Sequence, residues 1–346
     1  MSILEDDPVN WSLRSVPIDW LDAPPTAIPT PLLARKDRPD LYQPDDDLLD
    51  AAEVAIRLGQ PLLLTGRPGA GKTAFAGHLA WRLGLAKALR FQVRTDMEAR
   101  ELFYRYDNLG RFRAANEHSG EAPVEFLTLN ALGEAVVLAA ESSDLRSNLL
   151  AATDPPPRVR SVVLIDEIDK APRDVPNDLL GYVTGERIWF DIPELGGRGA
   201  ERFRIEASSD LQPIIVCTSN DDKTLPDAFL RRCIFHEIKF PKGDRLRDIL
   251  TRQVSGLSPS DPLVLDVQTL TEKILESGQQ LRKEPGLAEV IGFLLSLQAR
   301  GYTGGDRLFS GGRDDWKAIA RSTLFKTKDD QAQADGLLKI DDDSPA

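Results

Sequence analysis

Eight residues, Gly66-Arg67-Pro68-Gly69-Ala70-Gly71-Lys72-Thr73, constrain this chain more than any other stretch of it. They match G-x-x-x-x-G-K-[ST] and follow a short apolar run, Pro61-Leu62-Leu63-Leu64-Thr65, that suits a buried parallel strand. After them Phe75, Leu79 and Leu83 recur at helical spacing. Composition alone produces such a pattern in about one chain of this size in a hundred, so the strand before and the helix after are what make it a phosphate-binding loop. Glycines let successive N–H groups converge on an anion without Cβ clashes, and the following helix points its positive end at the same place. On this reading Gly66, Arg67, Pro68, Gly69, Ala70 and Gly71 form the cradle. Lys72 reaches the outer phosphates, and Thr73 offers its hydroxyl to Mg2+.

A second apolar strand, Val162-Val163-Leu164-Ile165, ends in Asp166-Glu167. Buried strands often end in acids, but downstream of a phosphate loop the pair reads as a Walker B element. Asp166 would orient Mg2+ through water, and Glu167 would act as general base on an attacking water. The pair therefore favours hydrolysis over transfer to a small acceptor. A third strand, Ile214–Asn220, has a polar end, where Asn220 in isolation reads as a turn residue and in this order reads as a sensor of the γ-phosphate. Leu225-Pro226-Asp227-Ala228-Phe229-Leu230-Arg231-Arg232 predicts a short helix with Pro in its first turn. Its two arginines either complement the helix dipole or supply an arginine finger to a neighbouring subunit, through Arg231 or Arg232.

Other classes are excluded by composition. The chain of 346 residues carries a net charge of −12, where a nucleic-acid binder usually shows a basic excess, so nucleic acid is not the expected partner. Cys217 and Cys233 are too few for a disulfide framework and read as small buried hydrophobes. His78, His118 and His236 have no metal-ligand spacing. The first residues are acidic, where a signal peptide is basic, and no apolar run approaches membrane-spanning length. The expected compartment is the cytoplasm, with no membrane partner.

The length suggests two domains. Residues 1–40, rich in proline and polar residues with Trp11 and Trp20, read as an N-terminal arm. Residues 41–240 alternate strands with helices, which predicts an α/β domain with a parallel sheet of five strands. Those strands are expected in 61–66, 89–94, 161–166, 213–220 and 233–240, with helices over 127–140 and 176–183. Asp45-Asp46-Asp47 stands before an apolar helical pattern and reads as an N-terminal cap. Residues 241–328 read as a small all-helical lid with helices over 244–255, 266–280, 287–299 and 314–326. Residues 329–346 read as a frayed C-terminal tail.

The order of phosphate loop, Ile165-Asp166-Glu167, Thr218-Ser219-Asn220, the double arginine and a helical lid resembles an AAA+ ATPase, a P-loop NTPase core followed by a lid. Within that group 165–180 (IDEIDKAPRDVPNDLL), 225–241, 94–112 and 126–136 resemble the MoxR family, a likeness running from about residue 41 to 328. The resemblance implies ATP and Mg2+ as ligands and a homo-oligomeric ring, expected to be a hexamer. It aligns Arg232 with the finger, and it implies roles for Lys72, Thr73, Asp166, Glu167 and Asn220 as above. It also implies a protein client, often one with a von Willebrand factor A domain, that ATP hydrolysis remodels through the lid and a hairpin. The alternative is a nucleotide-gated scaffold with little turnover, and 168–180 also resembles variants from bacterial conflict systems. Residues 185–206 fall where the family inserts a β-hairpin into its second helix, facing the pore or a partner. One departure concerns the lid, where a sensor arginine often begins a helix. Here the sequence reads Arg282-Lys283-Glu284-Pro285-Gly286-Leu287, with Pro285 expected at the first helical position; either Arg282 or Lys283 substitutes from just upstream or the contact is lacking.

Overall fold

The computed structural model describes residues 38–118, 120–183, 186–196, 203–277, 281–310 and 312–338. Most of the expected N-terminal arm and the last eight residues of the expected tail lie outside these. The described chain forms two compact units, an α/β unit of Pro44–Arg67 with Lys72–Ile238, and a helical unit that holds Pro68–Gly71 and the residues from Lys239 onward. No described helix is long and apolar enough to cross a membrane.

The α/β unit runs α1 (Asp46–Leu58), β1 (Leu62–Thr65), α2 (Lys72–Arg82), β2 (Leu89–Gln92), β3 (Tyr104–Tyr106), α3 (Asn108–Glu117), β4 (Leu127–Leu129), α4 (Ala131–Ala139), α5 (Ser143–Leu149), β5 (Val162–Asp166), α6 (Val175–Val183), β6 (Trp189–Asp191), β7 (Arg204–Glu206), β8 (Ile214–Thr218), α7 (Asp227–Leu230) and β9 (Ile234–Glu237). Five strands form one parallel sheet in the order β2-β5-β8-β1-β9, as the alternating pattern predicts. Composition explains the order. The three inner strands are uninterrupted apolar runs buried at every position, whereas β2 and β9 alternate half-buried and exposed residues, as edge strands do. Leu63, Val163, Ile165, Ile215 and Cys217 of the sheet pack with Leu132, Val136 and Leu179 of α4 and α6 in one core. Asp45 caps α1 as expected, its carboxylate accepting the Leu48 N–H at 2.8 Å, an arrangement worth about 1 kcal/mol.

Several local expectations are corrected. Residues 127–140 are not one helix, because Leu127 and Leu129 pair with Tyr106 and Tyr104 in a two-stranded antiparallel ladder and the helix begins only after Asn130. The pair β6/β7 does form a hairpin, with its tip outside the described residues, but it does not interrupt a helix. It follows the end of α6 and leads through a short turn at Ser209–Leu211 into β8. Leu83 lies beyond the end of α2 and is exposed, so only Phe75 and Leu79 of its expected face are buried. Pro226 is the N-cap of α7 rather than its first residue, and Arg231 is the C-cap. Cys217 is buried, but Cys233 is only half-buried.

The helical unit contains α8 (Gly243–Gln253), α9 (Pro262–Glu276), α10 (Leu287–Ala299), α11 (Asp315–Leu324) and α12 (Lys328–Leu337). Its core joins Leu246, Leu250, Val267, Leu270, Phe293 and Trp316. The expected tail is corrected here, because residues 328–337 are helical and bury Asp330, Ala334 and Leu337. Asp330 explains the order. Its carboxylate accepts the backbone N–H of Arg282 at 2.6 Å and of Lys283 at 3.2 Å, and the Thr327 hydroxyl at 2.7 Å. Pro285 is not the first residue of α10. Gly286 is the N-cap, its N–H donating to Glu289 Oε2 at 3.1 Å, and Leu287 begins the helix. No arginine stands in that first turn. Within this unit the loop segment touches the start of α10, since the Ala288 N–H donates to the Gly69 carbonyl at 3.3 Å.

Candidate active site

The carboxyl ends of β1, β5 and β8 are where a parallel sheet of this kind presents its ligand-binding groups. The loop leaves β1 at Gly66, whose φ of 125° is open only to glycine. A Cβ there would lie 2.4 Å from the Ile238 carbonyl oxygen. Gly69 and Gly71 also have positive φ, 77° and 97°. The Lys72 side chain is buried, 6% exposed, and its ammonium donates to the Gly66 and Arg67 carbonyls at 2.6 and 3.0 Å. Burial pushes this ammonium below the ordinary lysine value. Asp169, Asp221, Asp166 and Glu167, in that order, oppose the shift.

Asp166 ends β5 and is buried. The Thr73 hydroxyl donates to it at 3.1 Å, the Thr218 hydroxyl at 2.5 Å and the Arg90 guanidinium at 2.7 Å. Glu167 then turns the chain with a left-handed backbone, φ 61° and ψ 52°, a conformation costing about 1–3 kcal/mol that such sites commonly hold. Its carboxylate accepts from Asn220 Nδ2 at 3.2 Å, Gln92 Nε2 at 2.7 Å and Lys170 Nζ at 2.7 Å. That contact raises the Lys170 pKa, chiefly through the hydrogen bond itself.

Lys72, Thr73, Asp166, Glu167 and Asn220 therefore converge in one cluster. Arg231 and Arg232 do not join it. Both are exposed, and the Arg232 guanidinium donates to the Ala228 carbonyl at 3.4 Å. Thr73 and Asp166 offer a hydroxyl and a carboxylate, hard oxygen donors in contact, which is a donor set that fits Mg2+.

Five participants escaped the sequence reading, among them Lys170, whose ammonium donates to Glu167. Arg90 and Gln92 sit on β2, and only its pairing with β5 brings them to the acids. Their alternation in a short strand was the available signal. Thr218 and Asp169 stand in segments already singled out, one residue before Ser219-Asn220 and two after Glu167.

The family model for the AAA domain (dynein-related subfamily) matches residues 61–233, from the first strand of the sheet to the start of the last. The chain belongs to this family. The parallel sheet and the helices after it are those of an AAA core followed by a helical lid, and the phosphate loop, the acids of β5 and the β8 turn all lie inside the matched span of the AAA domain. A comparison with curated proteins finds no match. Among solved structures the chain is similar to NtrX from Brucella abortus, at 13% identity and a TM-score of 0.43. The alignment covers 87% of this chain and 63% of that one.

Proposed function

We propose that this AAA protein binds and hydrolyses ATP, assembles into a homo-oligomeric ring of the MoxR type, and uses the cycle to remodel or activate a protein partner. The observation that carries the hydrolytic part is the convergence of Thr73 with Asp166 and of Asn220 with Glu167, beside the buried ammonium of Lys72. Lys72 would exchange its carbonyl contacts for phosphate oxygens. Thr73 and Asp166 would hold Mg2+, which supplies charge neutralisation on the transferred phosphoryl group. Glu167 accepts the proton as the water oxygen bonds to the γ-phosphorus and the bond to the ADP oxygen breaks. Asn220 fixes the direction of the Glu167 carboxylate.

Arg232 or Arg231, exposed and free of the cluster, is available to a neighbouring subunit's nucleotide as the finger. The MoxR assignment rests on the likeness of 165–180 and 225–241. A client with a von Willebrand factor A domain follows from that likeness.

The deciding experiment is steady-state ATP turnover per subunit against protein concentration, for the wild type and Glu167→Gln. Turnover that rises with concentration and drops at least a hundredfold in the variant, with nucleotide binding retained, supports a composite hydrolytic site. Tight binding with no wild-type turnover at any concentration replaces the motor with a nucleotide-gated scaffold.

A further inference from the structure

The turn after β5 carries a third carboxylate that the phosphate chemistry does not use. Asp169 is 2% exposed and lies in the single 3-10 turn Ile168–Lys170. A carboxylate so enclosed is costly unless donors converge on it. Its donors come from the segment beyond β8, where the backbone N–H of Asn220 reaches Oδ2 at 3.3 Å and that of Asp222 reaches the same oxygen at 3.0 Å. Its other oxygen, Oδ1, is buried and has no hydrogen-bond partner among the described residues. Among the described residues, the hydrogen bonds that Asp169 accepts on Oδ2 therefore come from one turn.

That turn has a demanding shape. Asp221 between the two donors takes a left-handed backbone, φ 60°, and two N–H groups flanking it meet one oxygen only while it does. The same turn sends the Asn220 side-chain amide to Glu167 Oε1. Asn220 is therefore held twice from one short stretch of chain, by its main chain through Asp169 and by its side chain through Glu167. Asp169 is also the carboxylate that most strongly opposes the effect of burial on Lys72.

We infer that Asp169 is a positioning residue, which fixes the 220–222 turn so that the Asn220 amide faces the Glu167 carboxylate, and which acts on hydrolysis only through that pair. The inference rests on the hydrolytic reading above.

The test compares full-length wild type, D169A, D169N, N220A and the D169A/N220A double variant in kcat, in the Kd for a fluorescent ATP analogue and in thermal unfolding. D169A is expected to lose about 10–100-fold in kcat with Kd changed less than about threefold. D169N keeps an amide oxygen able to accept both N–H groups and is expected to stay within about threefold of wild type. The double variant is expected to be no slower than N220A within about twofold, because the two residues act as one unit. Multiplying effects in the double variant, or a D169N as slow as D169A, overturn the inference. Should D169A fail to fold, D169N alone decides, and a tenfold or greater loss in kcat overturns it. A wild type that binds ATP without turning it over removes the hydrolytic reading and this inference together. An active wild type matched by D169A removes the inference alone.

Discussion

Thr218 Oγ1 lies 2.5 Å from Asp166 Oδ1, and the same oxygen accepts the Glu167 N–H at 2.9 Å. One hydroxyl on β8 therefore ties both acids at the end of β5, and it does so because the two strands run parallel, with Ile165 opposite Cys217. Thr218 is 1% exposed, so no solvent can replace it. Thr218→Val keeps the shape and leaves a buried carboxylate one donor short and a backbone N–H unpaired. The expected cost is about 2 kcal/mol, read as a lower denaturant midpoint, together with reduced ATP turnover. Thr218→Ser restores both. A valine variant as stable and as active as wild type would show that the hydroxyl holds nothing.

The parts legible in the sequence were those whose chemistry demands fixed residues in one contiguous stretch. Gly66–Thr73, Asp166-Glu167 and Asn220 each sit at the end of an apolar run, and a run long enough to cross a sheet announces itself. The antiparallel pair of β3 and β4 gave no such signal. Tyr104–Tyr106 and Leu127–Leu129 are three residues each, too short for a period to show. Arg90 and Gln92 alternate with apolar residues at the exposed positions of an edge strand. Their meaning depends on register, since Gln92 lies opposite Asp166, and register is a property of two strands. Residues 329–337 fell in the expected tail, acidic and polar in composition, and the three donors gathered on Asp330 help explain why they are helical.

Two glycines at either end of the loop-helix unit should respond oppositely to the same substitution. Gly66→Ala meets both obstacles at once, a φ of 125° and a backbone oxygen 2.4 Å from the new Cβ, and should destabilise the protein by about 2 kcal/mol or more while abolishing nucleotide binding. Gly77→Ala lies within α2 with nothing within 4 Å of the added carbon. It should stabilise by up to about 1 kcal/mol and leave binding intact. Chemical denaturation of the two variants side by side is the measurement. A tolerated alanine at 66 would mean that the loop does not need this backbone.

Lys72 should make ATP binding sensitive to alkaline pH. Burial lowers its pKa, and the four neighbouring acids only oppose the shift. The charged ammonium is the form that attracts phosphate. Affinity should be full near neutrality and fall as pH rises through the depressed value, below the midpoint of an ordinary lysine near 10.4. Titrating the Kd of a fluorescent ATP analogue from pH 7 to about 11 at constant ionic strength reads this directly. A midpoint at or above the ordinary lysine value would contradict the lowered pKa, and Lys72→Ala should bind weakly at every pH.

Asp330 should make the helical unit acid-labile. Burial alone would raise its pKa. The Thr327 hydroxyl and the N–H groups of Arg282 and Lys283 outweigh that and leave the carboxyl below its ordinary value. A carboxylate whose folded pKa is depressed contributes stability that is fully present above the unfolded pKa, near 3.9, and is lost as pH falls from there through the folded value. Asp330→Asn keeps one acceptor oxygen for three donors and cannot gain from ionisation. Its melting temperature should therefore lie below wild type by a few degrees at pH 7, a loss of about 1–2 kcal/mol. The gap should persist down to about pH 4 and narrow below it, because the wild type then loses what the variant never had. A gap that stays constant into the acid range would mean that Asp330 acts through shape alone, and no gap at pH 7 would mean that α12 is held by its apolar side chains without it.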